Sequence, residues 1–169
     1  MILQTNRLIL KTWTADDAED LFEICSNPEV MLHIGEGEAY RSIDEAHRFL
    51  SWAVDYQKEN GFCRWAVVEK ASQKIIGSCG FARLEESGEI ELGYLFARQS
   101  WGNGYATEAA AGCLKYGFEQ LRFAKVIALT DPKHTASQRI VEKIEFTCLG
   151  VKQYNGIANM VYIAVNPEK

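Results

Sequence analysis

Glu89 and Glu91 alternate with Ile90, Leu92, Tyr94 and Phe96 in the run EIELGYLFA, and SWGNGYATEA follows within a few residues. A period of two puts both carboxylates on one face of a strand. Such a face is either solvated or carries a general base. Glu91 is central in the run and is the candidate base, whereas Glu89 lies near a turn. Gly102, Asn103 and Gly104 tolerate positive φ and suit a tight turn. They also suit an anion cradle. A helix start leaves N–H groups without partners, its dipole favours negative charge, and glycine lets a phosphate come close. Gly93 interrupts the strand, which marks a bulge or a close ligand approach. A bulge would splay the strand from its neighbour and free backbone groups for an extended, amide-containing ligand.

Around these residues the patterns predict one mixed α/β domain over residues 1–169. Arg7–Trp13 reads as a strand. Thr14 and Asp17 then cap a helix whose stripe is Ala18, Leu21, Phe22 and Cys25. Val30–Arg41 reads as a loop. Ser42 and Glu45 form a capping box for a helix that ends at Asn60-Gly61. Phe62–Glu69, Lys74–Leu84 and Glu89–Ala97 read as an antiparallel meander, given the short turns between them. A helix over about 104–120 presents Ala106, Ala109, Ala110, Cys113, Leu114 and Gly117 inward, small enough to sit close on a sheet. Lys125–Asp131 is a strand and Thr135–Ile144 a helix. Phe146–Tyr154 and Ile157–Val165 form a hairpin through Asn155-Gly156. About seven strands in a mixed, mostly antiparallel sheet and about four helices result.

The chain of 169 residues is long enough for one self-sufficient core. Its net charge of −5 disfavours a dedicated nucleic-acid binder. No run of about 18 apolar residues predicts a membrane span, and MILQTNRLILKTW lacks the layout of a signal peptide. Five scattered cysteines, with no CxxC pair, read as free buried thiols of a cytoplasmic protein. His33, His47 and His134 form no ligand motif, so no metal is expected. A P-loop would need Lys-Ser/Thr where Tyr105-Ala106 stand, and a dinucleotide fold would place its glycines after the first strand. Of Trp13, Trp52, Trp65 and Trp101, only Trp101 adjoins the cradle.

Three segments carry a resemblance: TNRLILKTWTADDAEDLFEI, IELGYLFARQSWGNGYATEA and DPKHTASQRIVEKIEF. In this order and spacing the chain resembles the GNAT acetyltransferase superfamily, in particular its ribosomal-protein-alanine N-acetyltransferase branch. The resemblance implies acetyl-coenzyme A as donor and a primary amine as acceptor. It places the coenzyme against Leu95, Phe96, Ala97, Trp101, Gly102, Asn103, Gly104, Tyr105, Ala106, Thr107, His134 and Ser137. Two registers fit the pyrophosphate motif. One begins at Gln99; the other, which we adopt, begins at Trp101 and runs to Ala106. Backbone amides from Gly102 to Ala106 then face the diphosphate, the Thr107 hydroxyl adds to them, and the side chain of Asn103 is expected to matter little. The family's bulged strand splays to admit the pantetheine arm, with Leu95 and Ala97 offering backbone groups and the Leu95 amide polarising the thioester. Glu91 takes the ammonium proton and Ser137 serves the leaving thiolate.

The chain departs from the branch pattern at several positions. Asp131 and His134 stand where asparagines are usual, and Glu145 replaces a glycine. Val141 occupies the place of a tyrosine acid used by many relatives. These departures keep a second reading open, a non-catalytic acyl-coenzyme A sensor or interaction module. The acceptor side is expected along Val30–Tyr40, where Glu36 and Glu38 either attract a cation or are simply solvated. A protein N-terminus, a polyamine, an aminoglycoside or an amino-acid-like metabolite all remain candidates, as do a monomer and a homodimer.

Overall fold

The glycines and caps set the element boundaries. In the computed structural model, which describes residues 1–169, Gly61 ends a helix with φ 78°, and Asn155 and Gly156 turn a hairpin with φ 50° and 74°. The strands are β1 (Leu3–Gln4), β2 (Leu8–Lys11), β3 (Arg64–Glu69), β4 (Ile75–Arg83), β5 (Ile90–Phe96), β6 (Lys125–Thr130), β7 (Thr147–Tyr154) and β8 (Ile157–Val165). The helices are α1 (Ala18–Cys25), α2 (Pro28–Met31), α3 (Ile43–Asn60), α4 (Tyr105–Glu119) and α5 (Thr135–Lys143).

The predicted class holds, with one more strand and one more helix than expected. The extra strand, β1, is two residues long and pairs with β2. The extra helix, α2, runs into the start of the predicted loop at Val30–Met31: Asn27 caps it by accepting the Glu29 N–H at 2.9 Å, and Pro28 starts it. Pro28 stands at the first position of this helix, as its fixed φ allows. Thr14 and Asp17 cap a single 3₁₀ turn that leads into α1.

The sheet order is β1-β2-β3-β4-β5-β6-β8-β7, antiparallel except for the parallel pair β5–β6. Helix α4 packs on β4 and β5 through its small residues. A Cβ on Gly117 would stand 2.7 Å from the Phe81 ring, so only glycine lets the helix this close. Trp65, Phe81, Phe62, Phe123 and Tyr116 meet edge to face in the core beside it. Trp13 is buried too, whereas Trp52 and Trp101 are exposed. Four cysteines are buried and unpaired; Cys148, contrary to expectation, is exposed on the edge strand β7. No helix is long and apolar enough to cross a membrane.

Candidate active site

The chain leaves β5 through a 3₁₀ turn (Arg98–Ser100) and enters α4 through Trp101–Gly104. Gly102 and Gly104 both have φ 77°, the left-handed region that strains any other residue. Gly104 is the N-cap of α4 and has no side chain to cap with. The first bond at this helix start is Glu108 N–H to Gly104 C=O at 3.1 Å. The N–H groups of Gly102, Asn103, Gly104, Tyr105, Ala106 and Thr107 have no acceptor in the protein. This run of unpaired donors at a helix's positive end fits a diphosphate.

The cradle is braced from the far end of the chain. Glu108 Oε1 accepts from Thr5 Oγ1 at 2.6 Å and from the Arg7 N–H at 2.7 Å, and its Oε2 accepts from Arg7 Nε at 2.7 Å. Arg7 Nη1 donates to the Asn103 carbonyl at 2.9 Å, and the guanidinium lies 4.5 Å over the Tyr105 ring. The Tyr105 hydroxyl in turn donates to Glu69. Burial pushes the Glu108 carboxyl up, but the bonds from Thr5 and Arg7 outweigh it and hold it below the ordinary range. Asn103 Nδ2 donates to the carbonyls of Ser100 and Trp101 at 3.2 and 3.1 Å. Its side chain thus supports the turn, which corrects the expectation that it is indifferent. Trp101 is anchored by Nε1–H to the Phe96 carbonyl at 2.9 Å, with the Arg98 guanidinium 4.6 Å over its ring.

Beside the cradle, β5 and β6 part. They are bridged at the single pair Glu91↔Ile127. On its other edge β5 pairs with β4 without interruption from Ile90 to Phe96, so the expected bulge at Gly93 is absent there. The bonds Ala97 N–H to Ile76 C=O (2.8 Å) and Leu84 N–H to Glu89 C=O (2.9 Å) bracket this ladder and fix its phase. Alternation then turns the N–H and C=O of Leu95, Gly93 and Glu91 toward β4. Leu95 and Ala97 therefore have no free N–H for a ligand, which corrects the role expected of them. Past the bridge, the groups facing the gap are the C=O of Leu92, the N–H and C=O of Tyr94 and the N–H of Phe96, because Trp101 occupies the Phe96 carbonyl.

Glu91 sits where the strands fork. Its Oε2 pairs with Arg64 Nη2, while Oε1 makes no hydrogen bond to the protein. Gly93 makes room for that partner, since a Cβ there would stand 2.8 Å from Arg64 Cζ. This close approach, not a bulge, is why the strand carries glycine. Arg64 Nε is buried and unpartnered. Glu89 plays the plain part: it accepts from Lys125 Nζ at 3.1 Å and Tyr154 Oη at 3.3 Å, and the Lys125 bond holds its carboxyl down.

On the opposite face of β5, Tyr94 reaches α5. Its hydroxyl lies 2.9 Å from Ser137 Oγ and 3.2 Å from the Ser137 carbonyl. Burial raises the phenol well above its ordinary value, so it stays protonated. A phenol thus adjoins Ser137 although Val141, at the position expected for a tyrosine, is fully buried in the core. His134 precedes α5 but makes no side-chain cap bond. Its ring stacks on His33 at 4.2 Å, and His33 Nδ1 bonds Asp131 Oδ2 at 2.8 Å. Desolvation holds the His134 imidazole below its ordinary value. Glu36 and Glu38 are exposed, and Glu38 pairs with Arg41 at 3.7 Å.

Arg64, Tyr94, His33 and the Thr5–Arg7–Glu108 brace were not among the predicted site residues. The brace had a signal: Thr5 and Arg7 lie in the first resemblance segment and Glu108 in the second. The other three depend on strand register and loop path.

The loop of free N–H groups, the parted parallel strands and the carboxylate thus lie side by side, and sequence comparisons identify the family. Residues 7–147 match the acetyltransferase (GNAT) domain family, so the chain belongs to that family of acetyltransferases. It is 37% identical over 145 residues to the Bacillus subtilis (strain 168) uncharacterized protein YkkB, covering 84% of this chain and 83% of the relative. It is 34% identical over 176 residues to the uncharacterized N-acetyltransferase YoaA of the same organism, covering 99% and 98%. Among solved structures, RimL, a ribosomal L7/L12 alpha-N-protein acetyltransferase in complex with coenzyme A, shares the fold. Its TM-score is 0.83 over 99% of both chains at 14% identity.

Proposed function

We propose that this acetyltransferase moves an acetyl group from acetyl-coenzyme A to a primary amine by direct attack within a ternary complex. The observation that carries this reading is the run of six unpaired N–H groups beside a fork in the sheet. The diphosphate lies on the amides of Gly102–Thr107. The pantetheine arm lies between β5 and β6, where the Tyr94 backbone can pair with its amides. The Tyr94 N–H then takes the part first assigned to Leu95, and steadies the oxyanion as the thioester carbonyl is attacked. Glu91 Oε1 accepts a proton from the acceptor nitrogen. Ser137, with the Tyr94 hydroxyl behind it, hydrates or protonates the departing thiolate. RimL acts on a protein N-terminus, and an N-terminal amine is one acceptor class to test here beside polyamines, aminoglycosides and amino acids.

Thermal unfolding with acetyl-coenzyme A, with ATP and NAD as controls, tests the donor site. At about 100 times its dissociation constant the donor stabilises by about 2.7 kcal/mol, or about 5–10 °C for a chain of this size. No shift at millimolar donor would refute the cradle. Release of coenzyme A is then followed with spermidine, kanamycin, free amino acids and a peptide with an N-terminal alanine. Glu91→Gln is expected to depress turnover by about 100-fold or more, chiefly at low pH. Donor binding without turnover of any amine would instead favour the sensor reading.

A further inference from the structure

The fork between β5 and β6 is bridged at its open end. Just past β5, Arg98 Nε donates to Glu29 Oε2 of α2 at 2.5 Å. Just past β6, Asp131 holds His33, which lies two residues after α2. The segment 29–33 therefore crosses from the end of one parting strand to the end of the other. With Glu91 opposite Ile127 in a parallel pair, Asp131 is level with Leu95, four residues beyond the fork on each strand. The carboxyl ends of diverging parallel strands are where ligands of open α/β sheets sit.

The His33 contact is built as an oriented pair. Asp131 Oδ1 is fixed by the Lys133 N–H at 2.8 Å, and Oδ2 takes His33 Nδ1 at 2.8 Å. The ring is held flat against His134 with 16° between planes. The backbone bond from Lys133 and the bond from His33 keep the Asp131 carboxyl low. A carboxylate on Nδ1 places that nitrogen's proton and leaves the Nε2 lone pair to act as a base. Nε2 makes no bond to the protein, and the side chain is 23% exposed. The titratable and charged groups around it are Asp131, His134 and, through Asp131, Lys133.

An ammonium acceptor sheds two protons from its nitrogen on becoming an amide. Glu91 offers one unbonded oxygen and is tied to Arg64. We propose that His33, oriented by Asp131, takes the first proton from the ammonium at the mouth of the fork, and that Glu91, four residues further in along β5, takes the second once the neutral amine has moved inward; this rests on the acetyl-transfer reading above. His33 passes its proton to water at the mouth of the fork. The neutral amine forms the C–N bond to the thioester carbon, and the nitrogen gives its second proton to Glu91. The C–S bond breaks with its electron pair on sulfur, and the thiolate is protonated in turn. One amide, one thiol and one proton result.

The test uses His33→Asn. Asparagine keeps an N–H donor for Asp131 near the place of Nδ1 but has no basic nitrogen. Coenzyme A release is measured from about pH 6 to 9 with the fastest amine of the screen. The acetyl-coenzyme A thermal shift is recorded alongside. The expected result is an unchanged donor shift and a fall in kcat/KM of about 100-fold at the acid end, narrowing as free amine accumulates at alkaline pH. His33→Ala should match it, and Asp131→Asn should lose about tenfold or more. His33→Asn within twofold of wild type at every pH would overturn the proposal and leave His33 a loop tie. An equal loss at every pH would overturn it too, because a merely structural defect has no pH dependence. A wild-type chain that turns over none of the amines would sink the acetyl-transfer reading and this one with it.

Discussion

Gly93→Ala isolates the role of the Arg64–Glu91 pair. The added Cβ would stand 2.8 Å from both Cζ and Nε of Arg64 and 2.9 Å from Nη2. Comfortable contact needs about 3.5 Å or more, so the guanidinium must retreat by about 0.7–1 Å. The obstacle is the far end of a flexible side chain, not backbone, so the fold survives. The ion pair weakens, because the retreat draws Nη2 away from Glu91. Drawing a pair from about 2.8 to 3.8 Å at an effective dielectric of about 20 costs about 1.5 kcal/mol. Arg64 is 31% exposed, and water reduces this to about 1 kcal/mol. Urea unfolding should therefore show a loss of about 1 kcal/mol, and Tm should fall by about 2–4 °C. Turnover should fall further, by about tenfold or more, because Glu91 is no longer aimed. In an Arg64→Ala background the same glycine substitution no longer meets the guanidinium and should cost less. The two should thus couple by about 1 kcal/mol in a double-mutant cycle. Equal cost of Gly93→Ala in both backgrounds would refute the account of why this strand carries glycine.

Other outcomes follow from the cradle and its brace. Gly104→Ala should lose about 1–2 kcal/mol from left-handed strain alone, since its Cβ would make only an ordinary 3.6 Å contact with Arg7; urea unfolding measures it. Glu108→Ala strands Arg7 and Thr5, and isothermal titration should show acetyl-coenzyme A binding weakened by about tenfold, or about 1.4 kcal/mol. The Glu108 and Asp131 carboxyls are both held below their ordinary values. Their stabilisation is therefore present above about pH 4 and is lost as the pH falls through the lowered folded values. Glu108→Gln and Asp131→Asn should each flatten that acid limb in unfolding curves taken at successive pH values.

Local chemistry made most of the fold readable from sequence. Capping boxes at Thr14 and Ser42, the αL stop at Gly61 and the Asn155-Gly156 hairpin each act over a few residues, and each stands where its residue types put it. The glycine turn before α4 was legible for the same reason. What escaped depends on contacts remote in sequence. The backbone groups facing the fork follow from the phase of the β4–β5 ladder, which one strand's pattern does not contain. That shifted the available amide from Leu95 to Tyr94. Gly93 read as a bulge or a close ligand approach because its true neighbour, Arg64, lies two strands away. Helix α2 was too short to show a period, so the bridge from Arg98 to Asp131 read as a loop.

The brace between Thr5, Arg7 and Glu108 also sets a timetable for synthesis. Arg7 and Glu108 are 101 residues apart, yet the donor loop is supported only when they meet. At about 5–20 residues per second the ribosome needs about 5–20 s to span that interval. Leu8 and Leu10, fully buried in the finished molecule, must wait for β3 to arrive before they can leave water. The amino-terminal segment is thus made first and seated late. The nascent chain can complete the brace under the glycine loop only after Glu108 has been made.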